Sequence, residues 1–177
     1  RLLLTGVIAW HGALCKLQQM TSRFYFDQMI LNRASNLRFD DPSECESNNL
    51  SSMFIPIWRD KNLFLNGNIP QAVILKGKEG QWLVENATQI VFLGVKEGTM
   101  YFCADISHLE KVDTTPLPAK TVFEDLRSIA TSIEPEEAGY LAYARALAYW
   151  NRTHLYCGRC GSPTESKKSG HERHCTS

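Results

Sequence analysis

Near its carboxyl end the chain reads Cys157-Gly158-Arg159-Cys160-Gly161, and Cys175 follows after fourteen intervening residues. A Cys-x-x-Cys turn sets two thiols on one side of a tight loop, with backbone N–H groups free to bond the sulfurs. Gly158 and Gly161 suit the positive φ angles that such a turn uses. Cys175 has the spacing of the second half of a four-cysteine ribbon, with Gly161-Ser162-Pro163-Thr164 and Ser169-Gly170 as the turns of its hairpin. Cys157, Cys160 and Cys175 are therefore the candidate ligands of a structural Zn²⁺. A tetrahedral site needs a fourth, and three completions compete. A cysteine directly after Ser177 would make a second Cys-x-x-Cys, and this is the preferred expectation. His171 or His174 would complete the shell locally. A metal-free redox pair fits least, because the motif follows an α-helix in a polar, glycine-rich stretch without a βαβ pattern.

The remaining cysteines, Cys15, Cys45 and Cys103, are scattered singly, which argues against a disulfide scaffold and for a reducing compartment. The 177 residues allow one domain with a small appendage, and 19 basic against 19 acidic side chains leave no net charge to attract nucleic acid or a membrane surface. Arg152, Arg159, Lys167, Lys168 and Arg173 make the tail locally basic, which reads as a solvated face. Leu2-Leu3-Leu4 and Val7-Ile8-Ala9-Trp10 form an apolar stretch too short to span a membrane. Residues 1–26 carry bases and no acid, as transit peptides do, but Met20 reads as a natural start with residues 1–19 upstream of it.

The rest of the chain predicts an α+β fold. Residues 32–52 read as loop. Met53–Trp58 and Lys61–Leu65 read as strands around a turn at Arg59-Asp60, the first an edge strand because Pro56 cannot donate to a ladder. Ala72–Leu75 is a short apolar run closed by Gly77 and Gly80. Gln89–Val95 and Thr99–Cys103 form a hairpin with a three-residue loop, Lys96-Glu97-Gly98. Val122, Leu126, Ile129 and Ile133 share a helical face, predicting a helix over 121–132. A second helix starts at Pro135, with Glu134, Glu136 and Glu137 around its positive end. Its stripe of Tyr140, Tyr143, Leu147 and Trp150 reads as core, with alanines keeping the other faces slim.

Several stretches recur in a recognisable order: Leu31-Asn32-Arg33-Ala34-Ser35-Asn36-Leu37-Arg38, then Phe92-Leu93-Gly94 with Tyr101-Phe102 and Asp105. Ala144-Arg145-Ala146-Leu147-Ala148-Tyr149-Trp150-Asn151 follows, then Tyr156-Cys157 through Pro163-Thr164, then Gly170-His171-Glu172-Arg173-His174-Cys175. Together, over residues 24–177, they resemble the NADH pyrophosphatase branch of the Nudix hydrolases. That family reads L-N-R-x-S-x-x-R, A-R-A-L-x-x-W-H, F-C-x-x-C-G-x-x-T and G-x-x-R-x-C. Asn151 stands where the family has histidine.

The resemblance implies four parts: an N-terminal segment (1–20), an NADH pyrophosphatase-like domain (21–133), a connecting helix (134–152) and an incomplete zinc ribbon (153–177). The domain is a Nudix-like mixed sheet with flanking helices. The family's catalytic domain carries the box G-x₅-E-x₇-R-E-U-x-E-E-x-G-U, with U aliphatic, whose glutamates bind Mg²⁺ or Mn²⁺. No stretch of this chain matches it. The nearest register uses Glu124, Glu136, Glu137 and Gly139, but sets Pro118 on the first glycine, Ser132 on the arginine and Ile133 on a metal-binding glutamate. The expectation is thus no catalytic residue within 1–177 and a catalytic Nudix domain outside it. Members cleave the pyrophosphate of NADH or NAD⁺ to NMN(H) and AMP, which implies those substrates here. The resemblance further implies a homodimer without a membrane partner, intracellular, cytoplasmic or peroxisomal rather than mitochondrial. NAD-capped RNA stays open as a third substrate, without a residue that indicates it. The alternative is a stand-alone, non-catalytic zinc-ribbon module for binding or dimerisation.

Overall fold

A computed structural model describes residues 26, 31–39, 52–112 and 116–177. The readings of residues 1–20, of Met20 as a start, and of Cys15 and Cys45 lie outside the described residues. The expected loop at 32–52 is described over its first part, where the chain makes one 3₁₀ turn, Ser35–Leu37.

The β-branched and aromatic runs pair as strands. Strand β1 (Met53–Trp58) turns through Arg59 and Asp60 into β2 (Lys61–Leu65), with Trp58 opposite Lys61. Two short strands also lie on β2: β3 (Gln71–Ala72) and a later one described below. Strands β4 (Gln89–Lys96) and β5 (Thr99–Asp105) form the predicted hairpin, and β5 runs parallel to β1, with Phe54 beside Phe102 and Ile57 beside Asp105. The sheet order is β3-β2-β1-β5-β4, mixed as expected. Side chains alternate across it. Phe54, Leu63, Phe92, Phe102 and Ala104 pack with Leu83 on helix α1 (Gly77–Asn86). Ile55, Ile57, Phe64, Val91, Leu93 and Cys103 face helix α3 (Pro135–Thr153). Both faces are buried, so a helix is required on each.

The structure corrects five details. Strand β1 is interior, not an edge, despite Pro56. The β1–β2 register sets Pro56 opposite Leu63, whose carbonyl instead accepts from the Val73 N–H at 2.9 Å, so the missing proline donor leaves no gap. The predicted helix over 121–132 is instead strand β6 (Thr121–Glu124), paired antiparallel with β2, then helix α2 (Leu126–Ile129) and a 3₁₀ turn. Asp125 separates them: its side chain accepts from the Arg127 N–H at 3.0 Å and caps α2. Gly77 and Gly80 do more than close the apolar run, because both lie in α1. A Cβ on Gly80 would meet the Phe54 ring at 2.8 Å, so the glycine lets α1 sit close on β1. The β4–β5 turn has two residues, not three: Glu97 and Gly98 take φ of 50° and 77°, and Lys96 pairs with Thr99. On α3, Tyr140 is buried as expected, but the fully buried residues are Ala138, Leu141, Ala144 and Ala148, and Tyr143, Leu147 and Trp150 are only half-buried.

Strand β4 is the sheet's edge, and two distant segments cover its unpaired side. A bulge sets Gly94 rather than Leu93 opposite Tyr101. Beyond it, Asn32 exchanges backbone hydrogen bonds with Val95 at 3.0 and 2.8 Å. Before it lies the tip of a carboxyl-terminal hairpin, β7 (Thr164–Lys167) and β8 (Glu172–Cys175). His171, at that tip, donates from Nε2 to the Phe92 carbonyl at 2.6 Å. The tip and the 31–39 segment also hold each other, with Ser169 N–H donating to the Phe39 carbonyl at 2.8 Å and Phe39 N–H donating to Ser169 Oγ at 3.0 Å.

Two predictions follow from this edge. A Cβ on Gly94 would lie 2.3 Å from the Asn32 carbonyl oxygen, at a φ of 148°. Gly94→Ala is expected to destabilise the protein by about 2–4 kcal/mol in urea denaturation; a loss below about 0.5 kcal/mol would contradict the clamp. Burial depresses the His171 pKa below its usual 6.5, opposed by the Phe92 carbonyl and reinforced by Arg38 and Arg33. Tyr143 also packs against its ring. With the folded value below the unfolded one, the stability carried by burying the neutral ring is full above about pH 6.5 and lost as pH falls through the folded pKa, which loosens the tip. The Ser169 amide should therefore exchange faster in that range, and His171→Gln should abolish the step.

Candidate metal centre

Helix α3 ends at Thr153, and the chain doubles back immediately. Thr164 N–H donates to the Leu155 carbonyl at 2.9 Å, and Thr164 Oγ1 to the His154 carbonyl at 2.7 Å. Tyr156 and Pro163 then bridge, which closes the loop that holds the Cys-x-x-Cys motif. Inside it, Gly161 N–H donates to the Cys157 carbonyl and Cys157 N–H to the Ser162 carbonyl, both at 2.8 Å. Gly161 takes the positive φ the sequence suggests, 74°, whereas Gly158 does not. Strand β8 delivers the third cysteine: Cys175 pairs with Thr164, and Thr176 N–H donates to the Pro163 carbonyl at 3.1 Å.

The structure brings all three predicted sulfurs together. The Sγ atoms of Cys157, Cys160 and Cys175 lie within 4.8 Å of one another, and those of Cys160 and Cys175 are 3.4 Å apart. Thiolates about 2.3 Å from a tetrahedral Zn²⁺ stand about 3.8 Å apart, so this spacing fits the ion. Hydrogen bonds from the Ser162 side chain and N–H, with help from the other two thiols, lower the Cys160 pKa to about 6. The Ser177 N–H favours the Cys175 thiolate, but the neighbouring thiols raise its pKa overall. Exposed or partly exposed, and with Cys160 inclined to the thiolate, the cluster has the chemistry of a metal site rather than of buried structural thiols. Cys103 is the contrast: it is fully buried in the sheet, and burial raises its pKa.

Neither histidine joins the sulfurs. His171 is turned onto Phe92, so it is neither a local ligand nor a merely solvated side chain. His174 pairs with Glu172 at 2.9 Å on the exposed side of β8. The Nudix-box look-alike does not form a centre either. Glu124 ends β6, Glu136 pairs with Lys96, and Glu137 accepts from the Ala72 backbone and from Tyr140. Among the described residues, the three cysteines are the one group placed to hold a metal.

Sequence reasoning missed the residues that seat the ribbon. Asn151, 3% exposed, donates to the carbonyls of Gly170 at 2.8 Å and Leu147 at 3.1 Å. It also accepts from Ser166, which in turn accepts from Gln89 at 3.3 Å. One residue later, Arg152 joins Asp60 in the β1–β2 turn to Asp105 on β5 and Ser107. Asp105 is 2% exposed and also accepts from the Ser107 N–H at 2.9 Å. The available signal was the departure at Asn151, a buried amide serving two segments distant in sequence.

Comparison with known families agrees with this layout. Residues 51–150, more than half of the chain, match the NADH pyrophosphatase-like rudimentary NUDIX domain. Residues 152–177 match the NADH pyrophosphatase zinc ribbon domain. No individual curated protein matches the chain. With a Nudix-like sheet from β1 to α3 running directly into a ribbon that gathers three cysteines, the chain belongs to the NADH pyrophosphatase branch of the Nudix family.

Proposed function

We propose that residues 1–177 supply the N-terminal domain and structural zinc site of a Nudix hydrolase that cleaves the pyrophosphate of NADH or NAD⁺ to NMN(H) and AMP. The observation that carries this reading is the order of the two matched domains along one chain, 51–150 and then 152–177. We assign Cys157, Cys160 and Cys175 as zinc ligands, with the fourth position left to a ligand other than His171 or His174. Bound Zn²⁺ would supply a cross-link rather than reaction chemistry, tying the loop after α3 to the end of β8.

The residues present do not fit the catalytic Mg²⁺ or Mn²⁺ of the family, since Glu136 and Glu137 already have other partners and Glu124 stands apart on β6. The activity is thus assigned to this domain pair together with a Nudix box, and its divalent metal to that box. The homodimer belongs to the same proposal, supported by exposed Tyr149, Leu155 and Tyr156 beside the ribbon. So does an intracellular setting, supported by the unpaired thiols of the cluster. Among the described residues no helix is long and apolar enough to cross a membrane.

Two measurements test this. The 177-residue protein should carry about one Zn²⁺ per chain by metal analysis. Cys157→Ser with Cys175→Ser should bring that close to zero, and unchanged zinc content would refute the ligand assignment. Incubated with NADH or NAD⁺ and Mn²⁺, residues 1–177 should release no AMP, whereas the same residues fused to a Nudix-box domain should. Turnover by 1–177 alone would refute the assignment of the chemistry elsewhere, and an inactive fusion would favour the non-catalytic ribbon module.

A further inference from the structure

Three segments converge beside the covered edge of β4: residues 31–39, the middle of α3 and the ribbon tip. They bring together Arg33, Arg38, Tyr143 and His171. The Arg33 guanidinium carbon lies 4.8 Å from the centre of the Tyr143 ring, and that ring lies 6.4 Å from the imidazole of His171. Both arginines are close enough to act electrostatically on Tyr143 and on His171.

Among the described residues this cluster holds two guanidinium groups and no counter-charge. Arg127 and Arg145 share Asp125, and Arg152 meets Asp60 and Asp105. Among the described residues, no carboxylate forms an ion pair with Arg33 or Arg38. Arg38 Nε is moreover buried without a hydrogen-bond partner. Native structures rarely leave a buried donor unmet, and two cations around one aromatic pair repel each other unless an anion lies between them. Guanidinium groups present planar forks of donors that match phosphate oxygens. A phosphate dianion brings a charge equal to that of the two arginines, which a single carboxylate does not.

We propose that Arg33 and Arg38, converging at Tyr143 and His171, form a binding site for the phosphate group of a small ligand. The site is built only when the ribbon tip is docked, because His171 and Tyr143 come from opposite sides of that contact. Its ligand is inorganic phosphate or the phosphate of a nucleotide. The proposal is independent of the hydrolase assignment, since it uses no residue of the metal centre and requires no turnover.

The test titrates the zinc-loaded protein with inorganic phosphate, pyrophosphate, AMP and acetate at constant ionic strength. The readouts are calorimetry and the side-chain NMR signals of His171 and the arginine Nε groups. Phosphate-bearing probes should saturate with a dissociation constant of about 1 mM or tighter, and acetate should bind at least about tenfold more weakly. Arg33→Gln should weaken phosphate binding by about tenfold or more, and so should Arg38→Lys, which keeps the charge but loses the fork. Arg127→Gln, on the far ion pair, should change nothing. Arg33 is exposed, so its replacement leaves the packed core intact. Tighter binding of AMP than of phosphate identifies a nucleotide as the ligand, and equal binding identifies phosphate alone. Absence of saturable binding, or binding kept by both variants, would overturn the proposal.

Discussion

An edge strand with unpaired backbone groups is a liability, and the covering of β4 is the constraint on which the rest of this structure depends. The bulge at Leu93 shifts the register between β4 and β5, and just before it His171 meets the Phe92 carbonyl. Asn32 takes the next stretch of the same edge through Val95. Neither covering segment is near β4 in sequence. The ribbon is therefore not an appendage hung on a finished domain; its tip completes the sheet that the domain begins.

That dependence explains where the buried polar groups lie. Asn151 satisfies Gly170 from the last turns of α3, so the helix that packs on the sheet also seats the ribbon. Arg152 pins the end of the same helix to the β1–β2 turn and to buried Asp105. A buried carboxylate without such a partner would be costly, and removing one partner of a buried pair costs more than the pair contributes. The three cysteines sit just beyond these anchors. Metal binding there would tie the loop that leaves α3 to the strand that returns from β4, so one cross-link would constrain both.

Much of this was legible in the sequence because it is local. The β4–β5 hairpin shows as two β-branched runs about a glycine, α3 as a proline-started helix, and the knuckle as a fixed cysteine spacing. What stayed hidden depends on distant partners. Val122 and Leu126 fit a helical face as well as a strand followed by a turn, and only pairing with β2 decides between them. Pro56 argues for an edge when read alone; the Leu63 carbonyl turning to Val73 removes the conflict. Helix α1 was obscured by Gly77 and Gly80; the cost of Gly80 in helix propensity is offset by close packing on Phe54. His171 stood as one local alternative for the fourth ligand, yet its partner is 79 positions away.

The central claim is that the zinc ribbon and the β4 edge form one mechanical unit. Amide hydrogen exchange at Ser169 and Val95, compared between zinc-loaded and chelator-treated protein at pH 7.5, tests it most directly. The account predicts that both amides lose protection when zinc is removed, while interior β5 amides such as that of Cys103 keep most of theirs. Loss of protection at Ser169 with Val95 unchanged would show that the ribbon and the 31–39 segment cover the edge independently, and would contradict it.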